Sequence, residues 1–434
     1  MTRLAYRLSV APALEVFRPE IEHTCTFLER CHSLVRDTGA SAVLHYGPDA
    51  PNGAVHVPNA LFPHGVRLDA DGVHPMHDVL ERHADGQVTG LFPMPPRGPG
   101  LAYDALGLIF LLLTRLEERG HPARDRYGRF PRAAALAVRR TGKAGPLADE
   151  AARDVAAALL GRTDPPIATS YAAYVTHDVD RLRGYHRLHE PLRQAAGDFL
   201  KRGRPMGALN RLADGYASGE PWHSARAIMA ATESRKLKSR FYFMGPSHHP
   251  MDSPYAATMP RLLHALGQEI AARGHILGFH PGFETPSDPQ TWQAQKSGLE
   301  RALGQKVTEG RQHVLRYAAE NTPDIWNDAG MALDASLAWP EASGFRNGTC
   351  RRHAAYSLRG RRTLALDQVA TAVMDFGLFG GKYRDLSIAD ALAEAKAVNA
   401  ICRRHGGTFV ILHHTGQLRA PQSTFFERVL EIAA

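Results

Sequence analysis

The carboxyl-terminal part of the chain, from Ile167 onward, alternates short apolar runs with longer stretches of helical periodicity. Seven of the apolar runs have the length and composition of β-strands. They are Tyr171–Thr176, Ser239–Met244, His275–Phe279, Val307–Gly310, Met331–Asp334, Val369–Met374 and Thr408–Leu412. Helical periodicity marks Pro260–Arg273, Pro289–Leu303 and Ala389–Arg404. The alternation predicts parallel strands joined by right-handed crossover helices, and seven such units predict an incomplete TIM-like (β/α)7 barrel.

The first part of the chain has a different pattern and predicts a smaller α/β domain. Leu14–Arg36 has helical spacing, two strand-like runs follow it, and a strongly apolar helix begins at Asp104. A stretch rich in glycine and proline, ending in Asp164-Pro165-Pro166, separates the two patterns. The length of 434 residues also favours two domains. We therefore predict an accessory domain over residues 1–165 and a barrel domain over residues 166–434.

Composition and charge narrow the classes of function. Hydrophobic residues make up 44% of the sequence and charged residues 22%, as in globular proteins. The formal net charge of +8 favours contact with anions, but the sequence lacks a nucleic-acid recognition motif, so we predict no nucleic-acid partner. Four cysteines without a CxxC pair and an amino terminus without a secretory signal predict a cytoplasmic protein. No feature of the sequence indicates an obligate protein partner.

One interval, residues 181–222, interrupts the alternation and is basic in its first part. Apolar residues are interspersed there at spacings that fit one or two amphipathic helices. The charged residues are Arg181, Arg183, Arg187, Arg193, Lys201, Arg202 and Arg204, against Glu190 and Asp198. Two interpretations fit this composition. One is a solvated helix face, and the other is a surface that makes peripheral contact with an anionic membrane or a phosphate-bearing substrate.

Polar residues follow five of the predicted barrel strands at their carboxyl ends. In parallel α/β folds these ends meet, so we expect the residues to share one site. They are His177, Asp178 and Asp180; His280 and Glu284; Arg311, Gln312 and His313; Asp375; and His413 and His414. Carboxylates, imidazoles and an arginine are typical of metal-assisted hydrolysis. The sequence contains no GxxxxGK[ST] phosphate-binding motif, and no GxGxxG follows the first barrel strand, so phosphoryl and hydride transfer are disfavoured.

Four segments of this region resemble, in order and spacing, the motifs of polysaccharide deacetylases, also called the NodB-homology family or carbohydrate esterase family 4. They are Thr-His-Asp-Val-Asp at 176–180, Gly-His-Ile-Leu-Gly-Phe-His at 274–280, Arg311, and Ile-Leu-His-His at 411–414. The resemblance covers about residues 170–420. Segments 311–316, 344–350 and 374–375 resemble a branch linked to surface polysaccharides, whose members carry an amino-terminal α/β domain similar to residues 1–160.

The resemblance implies catalytic roles for three matching residues. Asp178 matches the family's catalytic base, and Arg311 matches the arginine that orients this base. His414 matches the acid that protonates the leaving amine. Together these roles describe the hydrolysis of an amide: the base takes a proton from water and the acid gives one to the departing nitrogen.

The resemblance also implies a metal site. Asp180 and His280 match two metal ligands, and a zinc ion is the divalent cation that we expect here. The family places a second histidine four residues after the first, but this chain has Glu284 at that position. We expect Glu284 to be the third ligand, since glutamate binds zinc. His313 or His177 could take this place instead, and a protein without metal and without activity is a further alternative.

We expect four further polar residues to contact the substrate: His177, His313, Arg346 and Asp375. Arg346 fits either an anion-binding site or a structural ion pair. Asp375 matches a residue that orients the catalytic histidine in the family. The sequence thus predicts a cytoplasmic, metal-dependent deacetylase that acts on an N-acetylated sugar or sugar conjugate. The alternative is a non-catalytic glycan-binding or scaffold protein of polysaccharide biosynthesis.

Overall fold

The computed structural model divides the chain, by packing, into two compact units. The described residues are 3–49, 51–84, 92–93, 100–182, 190–200, 203, 205–209, 212, 223–379, 381, 383–416 and 421–434. The first unit comprises Met1–Ala172, Leu315–Val373 and Glu394–Val410, and the second comprises Ala173–Val314, Met374–Ala393 and Ile411–Ala434. The packing therefore does not follow a single boundary at residues 165 and 166, because two later segments pack with the amino-terminal part of the chain.

The first unit contains a parallel sheet of four strands. They are β1 Leu4–Val10, β2 Leu34–Arg36, β3 Ala42–Tyr46 and β4 Ala54–Val57, in the order β2-β1-β3-β4. Strands β5 Val66–Asp69 and β6 Gly72–Pro75 form an antiparallel hairpin. The helices of this part are α1 Arg18–Cys31, α2 His77–Ala84, α3 Ala105–Thr114, α4 Leu136–Thr141 and α5 Leu147–Leu160.

Helix α3 belongs to the hydrophobic core of the first unit. Every residue of this helix is buried, as expected for a helix that is apolar on all sides. Asp104 caps its first turn, because Oδ1 accepts a hydrogen bond from the backbone N–H of Gly107 at 2.7 Å. The other oxygen, Oδ2, accepts hydrogen bonds from the hydroxyl of Tyr46 at 2.9 Å and from the backbone N–H of Leu61 at 2.8 Å. Asp104 thus fixes both the start of the helix and its contact with β3.

The later segments of the first unit add three strands and a helix. They are α11 Thr322–Asp328, β11 Leu333–Asp334, β12 His353–Ser357 and β13 Arg362–Gln368. Strand β13 pairs in parallel with β11 and in antiparallel with β12. The β12–β13 hairpin is not among the predicted strands, because exposed charged residues such as Arg352 and Arg362 dilute its apolar pattern.

The second unit has the alternating strands and helices that the sequence predicts. Its strands are β8 Ser239–Phe243, β9 Ile276–Phe279 and β10 Glu309–Gly310, together with β7 Ala172–Val179, β14 Val373–Met374 and β15 Thr408–Leu412, which have residues in both units. Its helices are α6 Glu190–Leu200, α7 His223–Glu233, α8 Tyr255–Thr258, α9 Pro260–Ala272, α10 Pro289–Leu303, α12 Asp375–Leu378 and α14 Gln422–Ala433, while α13 Ile388–His405 has residues in both units. Strands β7 to β10 pair in parallel with their neighbours.

The mixed α/β class is confirmed, but the barrel closure is not seen. The strands of the second unit follow one another in the linear order β10-β9-β8-β7-β15-β14. Among the described residues of this unit, no pairing joins the two ends of that order into a barrel. The carboxyl ends of the parallel strands β7 to β10 nevertheless lie at one edge, where active sites of parallel α/β folds are built.

The basic interval is described only in part. Glu190–Leu200 is helical, and residues 205–209 are helical as well. Arg183, Arg187, Lys201, Arg202 and Arg204 lie outside the described residues. Among the residues that are described, no helix is long and apolar enough to cross a membrane.

Candidate active site

Strand β7 places the side chains of the segment Thr-His-Asp-Val-Asp, residues 176–180, on two faces of the sheet. The strand extends to Val179, so His177 and Asp178 lie within it and not beyond it as predicted. Successive side chains of a strand point to opposite faces, which places Thr176 and Asp178 on one face and His177 on the other. Asp180 follows the strand directly. The spacing of two residues is therefore what brings the two carboxylates toward the same region.

Asp178 is held by a buried arginine. Arg311 follows β10, and its Nη1 donates a hydrogen bond to Asp178 Oδ1 at 2.7 Å. Its Nη2 donates to the hydroxyl of Thr176 at 2.7 Å, so one guanidinium contacts two side chains of the same strand face. Arg311 is fully buried and Asp178 nearly so. A buried carboxylate paired in this way keeps a fixed orientation, as a proton acceptor requires.

Three side chains form a group that fits a metal ion. The ligand atoms of Asp180, His280 and His313 all lie within 4.8 Å of one another. Asp180 Oδ1 is buried and has no hydrogen-bond partner, and it lies 3.5 Å from His280 Nε2. An unpartnered buried carboxylate oxygen beside two imidazoles is costly unless a cation neutralises it. One carboxylate and two histidines are a donor set that suits a divalent ion such as zinc.

Neighbouring groups orient both histidines. His280 Nδ1 lies 2.6 Å from the carbonyl oxygen of Arg311, and His313 Nδ1 lies 2.7 Å from Asp252 Oδ1. In each case Nδ1–H is the donor, so Nε2 is the ring nitrogen that a metal ion would bind. Asp252 is itself fixed by the hydroxyl of Ser247 at 2.7 Å. Burial alone would raise the pKa of Asp252, but its hydrogen bonds to His313 and Ser247 lower it.

The electrostatics of the group favour charged forms. Burial alone would raise the pKa of Asp180, but the nearby histidines His280, His414 and His313 lower it well below its usual range. Burial alone would lower the pKa of His280, but Asp178 and Asp180 raise it. The carboxylates and imidazoles therefore stabilise one another's charge, as in a site prepared for a cation or for proton transfer.

His414 follows β15 and is oriented by Asp375. Its Nδ1 lies 2.6 Å from Asp375 Oδ1, and its backbone N–H donates to Asp375 Oδ2 at 2.8 Å. Burial alone would lower the pKa of His414, but the charge and hydrogen bond of Asp375 raise it to about 9. His414 is therefore protonated at neutral pH, and Nε2 is the ring nitrogen left to give a proton.

Glu284 is not brought into this group, which corrects the expectation that it is the third ligand. Its side chain is 66% exposed, and its Oε1 lies 4.0 Å from His249 Nε2. Two hydrogen bonds fix the backbone of the loop before Glu284. Gly282 N–H donates to Gln295 Oε1 at 2.8 Å, and Phe283 N–H donates to Asp252 Oδ1 at 2.9 Å. These contacts fix the turn before Glu284 so that its carboxylate faces solvent. His313 takes the place that the spacing assigned to Glu284.

Comparisons with known proteins were made for the whole chain. A family model described as "Family of unknown function (DUF7033)" matches residues 17–164. No curated protein matches the sequence. Among solved structures, a candidate polysaccharide deacetylase from Mycobacterium smegmatis matches at 18% identity with a TM-score of 0.41, covering 61% of this chain and 85% of that one.

Two further matches are also relevant. A polysaccharide deacetylase from Bacillus cereus matches at 12% identity with a TM-score of 0.29, covering 60% of this chain and 87% of that one. A pseudoenzyme of the CE4 family from Bacillus anthracis matches at 11% identity with a TM-score of 0.28, covering 60% of this chain and 61% of that one. This chain is similar to polysaccharide deacetylases.

Three of the residues expected to contact substrate have other partners. His177 is fully buried; its Nδ1 lies 2.9 Å from the carbonyl oxygen of His413 and its Nε2 3.2 Å from the hydroxyl of Ser239. Arg346 is buried in the first unit, where its Nη2 donates to Glu118 Oε2 at 2.6 Å. Of the two alternatives for Arg346, the contact with Glu118 corresponds to the structural ion pair and not to an anion-binding site. Asp375 is fully buried and contacts His414, so its position corresponds to orientation of that histidine.

Asp252 is a residue of the site that the sequence did not single out. It lies in the loop after β8, which also contains the two neighbouring histidines His248 and His249. The same signal that marked the other residues, a polar group after the carboxyl end of a parallel strand, applies to Asp252. Its distance from β8 in sequence obscures that signal, because eight residues, among them two prolines and two histidines, lie between Phe243 and Asp252.

Proposed function

We propose that this protein is a metal-dependent deacetylase that hydrolyses the N-acetyl amide of a sugar or sugar conjugate in surface-polysaccharide metabolism. The observation that carries the proposal is the presence, in one unit, of a proton acceptor, a proton donor and a metal-type donor set. They are Asp178 with Arg311, His414 with Asp375, and the group Asp180, His280 and His313. The sugar substrate is suggested by the similarity to polysaccharide deacetylases.

A divalent cation, with zinc as the best candidate, would be held by Asp180, His280 and His313. When bound, such an ion polarises the amide carbonyl and makes a water molecule more acidic. The protein supplies the donors and their orientation, through the carbonyl of Arg311 behind His280 and the carboxylate of Asp252 behind His313. Outer contacts of this kind are what keep Nε2 of each ring directed at one point.

Asp178 is suited to take the proton of the attacking water. Its Oδ1 is occupied by Arg311 at 2.7 Å, while its Oδ2 lies 3.7 Å from His280 Nε2 and so faces the proposed metal donors. Arg311 fixes the orientation of the carboxylate through this charge-assisted hydrogen bond. A base held in this way needs no side-chain reorganisation before it accepts a proton.

His414 is suited to protonate the departing nitrogen. An amine leaves an amide readily only when it carries a proton, and His414 is protonated at neutral pH because Asp375 raises its pKa to about 9. Since Asp375 occupies Nδ1, the proton on Nε2 is the one that is transferred. Asp178 as the proton acceptor and His414 as the proton donor would give the site both a base and an acid.

The test is release of acetate from N-acetylated chitooligosaccharides and from a UDP-N-acetyl sugar, measured with the metal-loaded full-length protein. We expect turnover with at least one of the two, and Asp178→Asn should abolish it while metal content by mass spectrometry stays the same. Arg193→Gln, an exposed change outside the proposed site, is the matched control. Binding of these sugars with full metal content but without acetate release would overturn the proposal in favour of a glycan-binding protein.

A further inference from the structure

Exposed apolar side chains are concentrated in one short part of the second unit. Among the described residues, ten large apolar side chains are exposed, and five of them lie between residues 192 and 209. These five are also the most exposed of the ten: Leu192 57%, Phe199 59%, Leu200 77%, Met206 68% and Leu209 61%. Single exposed apolar residues are normal, but a cluster of this size marks a surface that meets another apolar phase.

The cluster has the geometry of an amphipathic helix. In helix α6, Leu192, Ala195, Ala196, Phe199 and Leu200 recur at intervals of three and four residues, which places them on one face. A groove of about 490 Å³ lies between this face and the helical residues 205–209, and its lining residues are all apolar. Among the described residues, the lining of the groove thus offers a continuous apolar surface without a polar side chain.

The charge of the same segment identifies the partner. Residues 181–204 contain seven arginines and lysines against Glu190 and Asp198, so the segment is strongly positive. Arg193, on helix α6, is exposed beside the apolar face. An apolar helix face within a segment rich in arginine and lysine is the composition of helices that lie in the surface of an anionic membrane. A second copy of the chain is disfavoured as the partner, because a symmetric contact would bring two positive segments together.

We infer that helix α6 and the helical residues 205–209 form a membrane-docking surface that places the side chains of Phe199, Leu200 and Met206 among the acyl chains of an anionic phospholipid bilayer. Basic residues of the segment attract the phosphate headgroups, and the apolar face gains free energy by leaving water. In this arrangement the helix lies along the bilayer surface, with its apolar face toward the acyl chains. The inference uses none of the residues proposed for catalysis and does not depend on the proposed activity.

The test is flotation of the full-length protein with vesicles of phosphatidylcholine alone and of an equal mixture of phosphatidylcholine and phosphatidylglycerol. We expect binding to the anionic vesicles at low salt, and release as salt screens the headgroup charge. The double change Phe199→Ser with Leu200→Ser should weaken the partition coefficient by about tenfold or more, since it removes two large apolar contacts. Arg193→Gln should weaken it by about fivefold, the usual effect of one basic residue near such a surface.

Val16→Ser is the matched control, because Val16 is 55% exposed but lies in the first unit. It should leave vesicle binding unchanged. The inference is overturned if the protein does not float with anionic vesicles, or if the Phe199→Ser and Leu200→Ser double variant floats like the unaltered protein. Light scattering after size exclusion measures the oligomeric state. If the unaltered protein is a dimer, the double variant is a monomer and neither binds vesicles, this face is an interface between copies of the chain. That result would also overturn the inference.

Discussion

The identity of the third metal ligand can be decided by three substitutions. His313→Ala removes a ring whose ligand atom lies within 4.8 Å of those of Asp180 and His280, whereas Glu284→Ala removes a carboxylate that is 66% exposed. We expect His313→Ala to weaken metal binding by more than about 100-fold, since a direct ligand should cost at least as much as an outer contact. Glu284→Ala should change it by less than about twofold, because an exposed side chain outside the donor group adds only weak long-range charge.

Asp252 supplies the intermediate case. Asp252→Ala removes the acceptor at 2.7 Å from His313 Nδ1, so the ring loses its fixed orientation while the ligand atom itself remains. Loss of such an outer contact costs about 10- to 100-fold in metal affinity. Asp252→Asn keeps an oxygen acceptor at the same place and should restore much of this loss. A purely structural role of Asp252 would not distinguish these two variants.

The assay is competition for zinc against a chelator of known affinity, followed by mass spectrometry of the metal that remains bound. The expected order of loss is His313→Ala, then Asp252→Ala, then Glu284→Ala with almost none. The order that follows from the spacing of Glu284 after His280 is the opposite. If Glu284→Ala loses the metal and His313→Ala retains it, the loop must rearrange around the ion, and the ligand assignment made from this structure is refuted.

Two other predictions concern buried ion pairs. Asp375→Asn should move the alkaline limb of kcat/KM for acetate release from about pH 9 toward or below pH 6.5, because the pKa of His414 is raised by Asp375 and lowered by burial. An unchanged pH profile in this variant would contradict the role of Asp375. The pair of His414 and Asp375 also stabilises the fold: this contribution is fully present at pH 6.5 and is lost as the pH rises through about 9. Arg346→Met should lower the free energy of unfolding by about 3 kcal/mol, since it leaves two buried carboxylates, Glu117 and Glu118, with Arg115 as the one arginine that contacts both, and it should leave metal affinity unchanged. Urea denaturation measures the first effect, and a loss of metal without a loss of stability would return Arg346 to a role in binding.

The sequence predicts those parts of the site that depend on local spacing. The interval of two between Asp178 and Asp180, and the position of His280 at the end of an apolar run, follow directly from strand geometry. His414 and Arg311 were found in the same way. Each of these residues is placed by its own strand, so its neighbours in sequence carry the necessary information.

The remaining parts depend on contacts between distant segments. The direction of Glu284 is set by Gln295 and Asp252, which hold the backbone of Gly282 and Phe283, and no local pattern contains those contacts. Arg346 meets Glu118 across 228 residues of sequence, so its role as an ion pair had no local signal. The side of β7 on which His177 lies depends on the extension of the strand to Val179, which the apolar run ending at Thr176 does not indicate.

The donors of the proposed metal site come from loops after three different strands, β7, β9 and β10. They converge only when those strands are paired, so the unfolded chain offers no comparable site. Ligand binding restricted to the folded state adds stability by mass action, about 2.7 kcal/mol at a free concentration one hundred times the dissociation constant. Folding of the second unit and its supply of metal are thereby coupled, and cells that limit the metal would lower the amount of folded protein as well as its activity.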